Sequence, residues 1–383
     1  MLSTIIKFGA PFLITGIVVG LAIGLLAVPQ TPQKELGTIT GGEIRTLIVT
    51  KTMVETKILE AAKPVYKWRI KIASTGGYFE ANLPVLVAMA KGYLDEEGIK
   101  VDEFVTVKGG ADARKLLVAG QVDFIAQSTL HAGIAISAGA DVKTIVLTYK
   151  LSSIGLCISS SLKDRVKNIS DLKGLVIGIS SFGSLTWAMA NYYISKAGLD
   201  PNKDVTFAEI GADLPAIVAA LQQGKIHAYT CFGPVLYTLT SKGIAFTLIN
   251  PYDYEQHKKW IGEASLEAGI LTRGDIIQRD PELILRMVNA IKKALLYIAM
   301  ESPENIAKTL INNEKVKQYV GYSEEDLVGI IKTLKPGFSI SGSFNPKAWE
   351  TSPYVLLQQA LPKEFKPVSF EQAIYWRFAG LEG

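Results

Sequence analysis

A serine-rich turn is the part of this sequence best suited to chemistry, and the chemistry it suits is anion binding. Residues 180–184 (Ser-Ser-Phe-Gly-Ser) follow a predicted strand and precede a predicted helix. Backbone N–H groups left free at a helix start attract negative charge, as does the positive end of the helix dipole, and serine hydroxyls add donors. Ser184 could instead serve only to cap its own helix. We expect a sulfonate, carboxylate or nitrate group to bind at this turn.

Other strand-to-helix junctions could complete the site. Ser128 and Thr129 open a helix after a strand in the same way as the serine-rich turn. Tyr78 and Phe79 fall in the first predicted strand-to-helix loop, where an aromatic ring can form a wall, although core packing would explain each of them equally well. We place no arginine in these loops, so a bidentate clamp on a phosphate is not predicted.

Two further polar side chains have competing interpretations. Glu80 could bind a cationic group or form a salt bridge within its own lobe, and we expect the salt bridge. His131 lies near Ser128 and Thr129 and could touch a ligand. A lone histidine on an otherwise apolar helix is usually structural, so His131 is not included among the predicted ligand contacts.

The sequence offers little support for catalysis. Its three histidines neither pair at metal-ligand spacing nor lie beside a nucleophile motif. There is no Gly-x-x-x-x-Gly-Lys-Ser/Thr sequence, so ATP binding by a P-loop would belong to a partner subunit. We therefore predict no catalytic residues, no metal and no cofactor.

Composition excludes several other classes of protein. The 383 residues carry a net charge of +4, and no run of five or more basic residues marks a nucleic-acid surface. Cys157 and Cys231 can form at most one bridge, and because a free cysteine is usually a small buried apolar residue, we expect both to be free. The charged fraction of 20% and apolar fraction of 48% indicate a folded body.

The N-terminus carries a long apolar segment. Residues 5–28 contain Lys7 as their only charge, which predicts a transmembrane helix. The length favours an uncleaved anchor over a cleaved signal peptide. The positive charge ahead of the span places the body on the extracytoplasmic side. Residues 29–66 are predicted to form a linker or stalk.

Strands and helices alternate through the body. This pattern predicts an α/β protein with parallel sheets covered by helices on both faces. The predicted strands are 68–73, 101–107, 122–126, 144–148, 175–179, 205–210 and 226–230, and the predicted helices are 111–119, 129–137, 184–196, 214–222, 235–242, 281–300, 303–311, 323–334 and 346–360.

A weak internal repeat suggests two similar lobes. Residues 117–124 (LVAGQVDF) parallel residues 221–228 (LQQGKIHA), and Gly-Ala-Asp precedes each copy. Repetition of helix, glycine and strand is also common in α/β proteins in general. If the repeat marks two facing lobes, the loops at the carboxyl ends of their strands meet at one cleft.

Five short motifs follow one another through the first part of the body. They are AKGYLDEEGI at 90–99, KGG at 108–110, AGQVDF at 119–124, NISDLKG at 168–174 and GISSFGS at 178–184. In this order and spacing, they resemble the sulfonate, taurine, nitrate and thiamine-pyrimidine binding proteins of ABC importers. The resemblance covers about residues 68–300.

The resemblance implies a type II periplasmic-binding-protein fold with two lobes joined by crossing strands near 149–153 and 250–254. The implied domains are 1–28 as the anchor or signal segment, 29–66 as linker, 67–151 as first lobe, 152–252 as second lobe, and 253–383 as a helical return to the first lobe. His227 replaces the aspartate usual in the second repeat, which we expect to affect packing. The predicted ligand-binding residues are Tyr78, Phe79, Gly110, Ser128, Thr129, Ser153, Ser181, Phe182, Gly183, Ser184 and Phe232.

These features predict a monomeric, extracellular solute-binding subunit that works with an ABC permease and ATPase. Sulfonate, taurine, nitrate, bicarbonate, pyrimidine and aromatic carboxylate all remain open as solutes. The alternatives are an enzyme on the same two-lobed fold that acts on a small metabolite, and a ligand sensor.

Overall fold

Two five-stranded sheets form the framework of the protein. The computed structural model describes residues 65–382, so the predicted membrane segment and most of the predicted linker lie outside the described residues. Within the described part, no helix is long and apolar enough to cross a membrane. The strands are β1 Trp68–Thr75, β2 Ile99–Val107, β3 Phe124–Ser128, β4 Val142–Tyr149, β5 Gly155–Ser159, β6 Val176–Ile179, β7 Thr206–Glu209, β8 Ala228–Cys231, β9 Ala245–Ile249 and β10 Ala268–Arg273.

Helices cover both sheets, and many begin at sequence signals that local chemistry explains. Asp213 and Asp280 each accept a backbone N–H at the start of a helix whose first or second residue is proline. The helices are α1 Phe79–Lys91, α2 Tyr93–Glu96, α3 Gly110–Val118, α4 Leu130–Ser137, α5 Leu185–Lys196, α6 Leu214–Gln222, α7 Gly233–Ser241, α8 Tyr254–Trp260, α9 Gly274–Arg279, α10 Pro281–Met300, α11 Pro303–Ile311, α12 Glu324–Leu334, α13 Pro353–Ala360 and α14 Phe370–Ala373.

The two sheets have the same topology. Their strand orders are β2-β1-β3-β10-β4 and β7-β6-β8-β5-β9. The predicted parallel arrangement is only half right, because in each sheet two of the four strand pairings are parallel and the other two are antiparallel. The antiparallel strands β10 and β5 are the ones that the chain enters from the other sheet, so they run against their neighbours. We call β1–β4 and β10 with their helices the first lobe, and β5–β9 with their helices the second lobe.

The internal repeat is confirmed. β3 and β8 occupy equivalent positions, because each is the third of the five strands in its sheet. The glycine ahead of each strand, Gly120 or Gly224, has a positive φ of 71° or 68°, which ends the preceding helix in a conformation that favours glycine. β3 and β8 are buried at every position, so the core of each lobe is built around the repeated unit.

The chain crosses between the lobes twice. Residues 150–154 connect β4 to β5. The return lies after α8, later than the predicted position near 250–254, because Trp260 at the end of α8 still packs against Tyr193 of the second lobe. Residues 261–267 then lead into β10, and Glu267 donates its backbone N–H to the Tyr149 carbonyl at 3.1 Å. The two crossing segments therefore run side by side.

The C-terminal helices contact both lobes. α10 and α11 pack against α1 of the first lobe, as the resemblance implied. α12 packs against α7 of the second lobe, while α13 packs against both α5 and α4. The predicted helix 346–360 is divided, because a short 3-10 turn ends at Trp349 and α13 starts only at Pro353.

A disulfide crosses the second sheet, contrary to the expectation of two free cysteines. Cys157 in β5 and Cys231 in β8 are bonded, with their Cα atoms 6.1 Å apart. The strands are antiparallel neighbours, and this pairing brings together residues separated by 74 positions in sequence. The residue after Cys231 is Phe232, so the bridge holds the end of β8 where the chain enters the interlobe region.

Candidate functional site

A small cavity lies between the lobes at the carboxyl ends of four strands. β1 and β3 reach it from the first lobe, and the residues that follow β6 and β8 reach it from the second. Its volume is about 20 Å³, which is room for roughly one water molecule. The lobes are thus closed on each other. The lining residues are Thr75, Tyr78, Gly110, Gln127, His131, Ile154, Ser180, Ser184, Leu185, Thr186 and Phe232.

Three hydroxyl groups form a buried cluster on the second-lobe wall. The Oγ atom of Ser180 lies 3.0 Å from the Ser184 Oγ atom and 2.9 Å from the Thr186 Oγ1 atom, and the last two are 2.8 Å apart. Ser184 also accepts the Trp187 backbone N–H at 3.3 Å, so the capping interpretation is confirmed. Because each hydroxyl can rotate its proton, the cluster can turn donors toward an acceptor in the cavity.

An arginine reaches the cleft from a helix rather than from a loop. The Nη1 atom of Arg114 in α3 lies 3.0 Å from His131 Nδ1 and donates across the cleft to the Gly183 carbonyl at 3.2 Å. Burial lowers the pKa of Arg114 to about 10, so the group stays charged at neutral pH. Its nearest acidic neighbour in sequence, Asp112, pairs with Lys115 instead. The loops predicted to form the cleft contain no arginine, but that prediction did not consider helix side chains, and Arg114 reaches the cleft from α3.

Arg114 also sets the proton position on His131. A guanidinium can only donate, so His131 Nδ1 must accept and the proton of the neutral ring lies on Nε2. Burial, followed by the charge of Arg114, lowers the pKa of His131 well below its usual value and keeps the ring neutral. The Nε2 atom is buried and has no partner among the described residues. The site therefore presents an unused N–H donor beside a charged guanidinium.

Two buried glutamates lie behind the aromatic wall. Tyr78 and Phe232 meet edge to face across the cleft, with ring centroids 6.0 Å apart. The Tyr78 hydroxyl lies 3.4 Å from Ser153 Oγ, which in turn donates to Glu267. Burial raises the pKa of Glu80 to about 7 and that of Glu267 to about 8. The predicted salt bridge of Glu80 is wrong, because its partners are the Gly233 N–H and the Tyr252 hydroxyl.

Four of the predicted site residues line the cavity, namely Tyr78, Gly110, Ser184 and Phe232. Three more lie close to the cavity without lining it. Ser153 contacts Tyr78, Gly183 accepts from Arg114, and the Ser181 Oγ atom is buried next to Gly109.

The remaining four predicted residues do not line it. Phe79 is the first residue of α1 and packs edge to face on Tyr322. Ser128 and Thr129 are fully buried within the first lobe, where Ser128 Oγ accepts the Leu130 N–H and Thr129 donates to the Leu266 carbonyl. The Phe182 side chain is 56% exposed.

Several lining residues were not predicted as contacts. Thr75 and Gln127 lie near the ends of β1 and β3, so the rule that ligands bind at the carboxyl ends of strands would have found them. Gln127 donates to the Thr75 hydroxyl at 2.9 Å, which fixes both side chains. The others are His131, Ile154, Ser180, Leu185 and Thr186.

The cleft widens outward from Ser180 into a chamber of about 740 Å³ that both lobes line. Its first-lobe wall includes Lys108 and Tyr322, and its second-lobe wall includes Glu209 and Asp213. The inner cavity thus has a continuation large enough for the remainder of a longer molecule.

Comparison with known proteins identifies the family to which this architecture belongs. Residues 81–306, which include strands of both sheets, match the family described as NMT1/THI5 like. The chain belongs to this family. The NMT1/THI5-like segment contains both crossing segments and nine of the eleven predicted site residues, because Tyr78 and Phe79 lie just ahead of it. No curated protein matches the chain significantly.

Solved structures share the fold at low sequence identity. A protein from Bordetella bronchiseptica RB50 superposes with a TM-score of 0.70 at 23% identity, over 81% of this chain and 95% of that chain. The alkanesulfonate-binding protein SsuA from Xanthomonas axonopodis pv. citri, bound to MOPS, gives a TM-score of 0.61 at 19% identity, over 82% and 99%. The periplasmic nitrate-binding protein NrtA from Synechocystis PCC 6803 gives 0.63 at 13% identity, over 81% and 88%. This NMT1/THI5-like chain therefore has a type II periplasmic-binding-protein fold.

Proposed function

We propose that this chain is the solute-binding subunit of an ABC-type importer, which captures a small anionic solute between its lobes and delivers it to a permease. The observation that carries the proposal is the charge of Arg114, which is partly buried in the cleft without an acidic partner in the described part of the chain. A buried cation is costly unless an anion compensates it. No carboxylate of residues 65–382 forms an ion pair with Arg114, so a bound anion would supply the missing charge.

The other polar groups of the cavity support an anion over a cation. The Nε2–H group of His131 and the hydroxyls of Ser180 and Thr186 are donors or can become donors. Glu80 and Glu267 lie behind the aromatic wall. Burial raises the pKa of Glu80 to about 7 and that of Glu267 to about 8, so neither carries a full negative charge near neutral pH that would repel an anion.

Size and location fit the same function. The inner cavity of about 20 Å³ would hold only a few atoms, so the lobes must separate to admit a solute. The outer chamber of about 740 Å³ leaves room for an organic remainder, as in an alkylsulfonate. The Cys157–Cys231 bridge suits an oxidising, extracytoplasmic compartment, where a receptor for an importer would work.

Replacing Arg114 with methionine should weaken anion binding by roughly 10- to 150-fold, because a hydrogen bond to a charged group contributes about 1.5–3 kcal/mol. Nitrate, bicarbonate, taurine and ethanesulfonate would first be screened by thermal shift, and affinities of those that stabilise the protein would then be measured by calorimetry. Lys115→Met is the matched control, since its side chain is the next along α3 and is 73% exposed.

Equal affinity for the best anion in Arg114→Met and Lys115→Met would contradict the proposal. The measurement also separates binding from catalysis, because a transport receptor returns the solute unchanged. Chemical conversion of the solute by the purified chain would instead support an enzyme on the same fold.

A further inference from the structure

Glu80 connects the two lobes at a point outside the lining of the inner cavity. Its side chain is fully buried in α1 of the first lobe. The Oε1 atom accepts the Gly233 N–H of the second lobe at 2.9 Å and the Tyr252 hydroxyl at 2.5 Å. Gly233 follows Phe232, which lines the cavity, and Tyr252 follows the last strand of the second lobe. Both hydrogen bonds therefore form only when the lobes are together.

The contact between Glu80 and Gly233 depends on close packing around the glycine. A Cβ atom on Gly233 would lie 2.9 Å from Glu80 Oε1 and 2.5 Å from Leu334, so glycine allows the close approach. The other carboxylate oxygen, Oε2, is buried without a partner among the described residues. A carboxyl group in this position is satisfied on one oxygen and desolvated on the other.

We propose that Glu80 couples closure of the cleft to proton binding, so that the closed form is favoured when this carboxyl group is protonated. The inference rests on the lobe closure that the proposed function requires, and it is independent of which solute binds. Closing the cleft removes Glu80 from water and places it in an apolar interface, which penalises the charged form.

Within the part of the chain that the structure describes, no cation faces Glu80 to offset this penalty. The titratable groups around Glu80 come from five places. These are the loop before α1, β4, the segment after β9, the second crossing segment and the segment before α12. Among residues 65–382 they are four tyrosines, which stay neutral over the physiological range, and one buried glutamate: Tyr78, Tyr149, Tyr252, Tyr322 and Glu267.

The sign of the pH effect follows from linkage. The proposal requires that opening of the cleft exposes Glu80 to water, which would return its pKa toward the usual value of about 4.3. In the closed form, burial raises the pKa to about 7. Closure is therefore most favourable below about pH 4.3, weakens by up to tenfold per pH unit as pH rises toward about 7, and levels off above it.

Distances between spin labels on the two lobes test this coupling without any solute. Gln121→Cys and Lys225→Cys place labels at exposed, equivalent positions of the internal repeat. Both native cysteines are in the disulfide, so they do not compete for the label. Pulsed electron paramagnetic resonance would give the ratio of closed to open molecules at pH 5 and at pH 8. We expect this ratio to fall at least tenfold between the two.

Glu80→Gln distinguishes a proton-linked contact from a merely structural one. Glutamine keeps an Oε1 acceptor and has no charge, so this variant should stay closed at pH 8 and lose the pH dependence. Glu325→Gln, which removes an exposed carboxylate on α12, should behave as the unmutated protein does. A ratio that is unchanged between pH 5 and pH 8, or a Glu80→Gln variant that opens, would overturn the inference. Failure of every anion in the solute screen would not affect this result.

Discussion

Replacing Gly110 with alanine is expected to abolish solute binding while the protein remains folded. A Cβ atom at this position would lie 2.2 Å from His131 Nε2 and 2.9 Å from Gln127 Oε1. The imidazole would have to move, which removes the N–H donor from the cavity and disturbs the contact with Arg114. We expect an affinity loss of at least about 100-fold, or about 2.7 kcal/mol, and a fall of about 1–3 kcal/mol in unfolding free energy from overpacking. Calorimetry and urea unfolding measure the two effects.

The double variant Gly110→Ala/His131→Ala separates the two effects. Removing the imidazole relieves the clash, so stability should recover relative to Gly110→Ala. Binding should stay weak because the donor is gone. If Gly110→Ala binds the solute as tightly as the unmutated protein does, the cavity described here is not the binding site.

Removing the disulfide is expected to lower the unfolding free energy by about 4 kcal/mol, because the bridge closes a loop of 74 residues in the unfolded chain. Cys157→Ala/Cys231→Ala tests this in urea unfolding. The two alanines also leave small gaps in a fully buried pair of strands, which adds to the loss.

Reduction provides an independent measurement of the same bridge. Dithiothreitol should lower the unfolding midpoint of the unmutated protein and leave that of the double alanine variant unchanged. A midpoint that does not respond to reductant in the unmutated protein would show that the two cysteines are not bonded.

Helices with local start signals were predictable from sequence. The bounds of α6, α10 and α11 agree with the predicted 214–222, 281–300 and 303–311. Each of the three has a proline in its first turn and a side-chain cap before it, Asp213, Asp280 or Ser302. Such signals involve only neighbouring residues, so no knowledge of the tertiary structure is needed to recognise them.

Features that depend on distant pairing were not predictable in the same way. β5, β9 and β10 were not assigned, and β10 pairs with strands that end more than a hundred residues earlier in the chain. The prediction of strand direction was wrong for the same reason, since the direction of a strand depends on the lobe from which the chain arrives. The Cys157–Cys231 bridge follows from the pairing of β5 with β8, which sequence spacing does not reveal.

The parts of the candidate site that lie at strand ends were predicted. The part that a long side chain supplies from a helix was missed. Phe232 directly follows β8, and Ser184 ends the short turn that follows β6, so the position of the strand ends was sufficient to find them. Arg114 lies in the second turn of α3 and reaches the cleft through its side chain. Its location one turn after the two glycines at 109–110 was the available signal.

The place of β10 in the first sheet has a consequence for how the chain acquires its shape. β10 separates β3 from β4, so these two strands have no partner between them until residues 268–273 have been synthesised. All five strands of the second sheet, in contrast, come from the continuous stretch 155–249. Although domains usually mature from the N-terminus onward, here the later half of the molecule can complete its sheet while the earlier half still waits for its last strand.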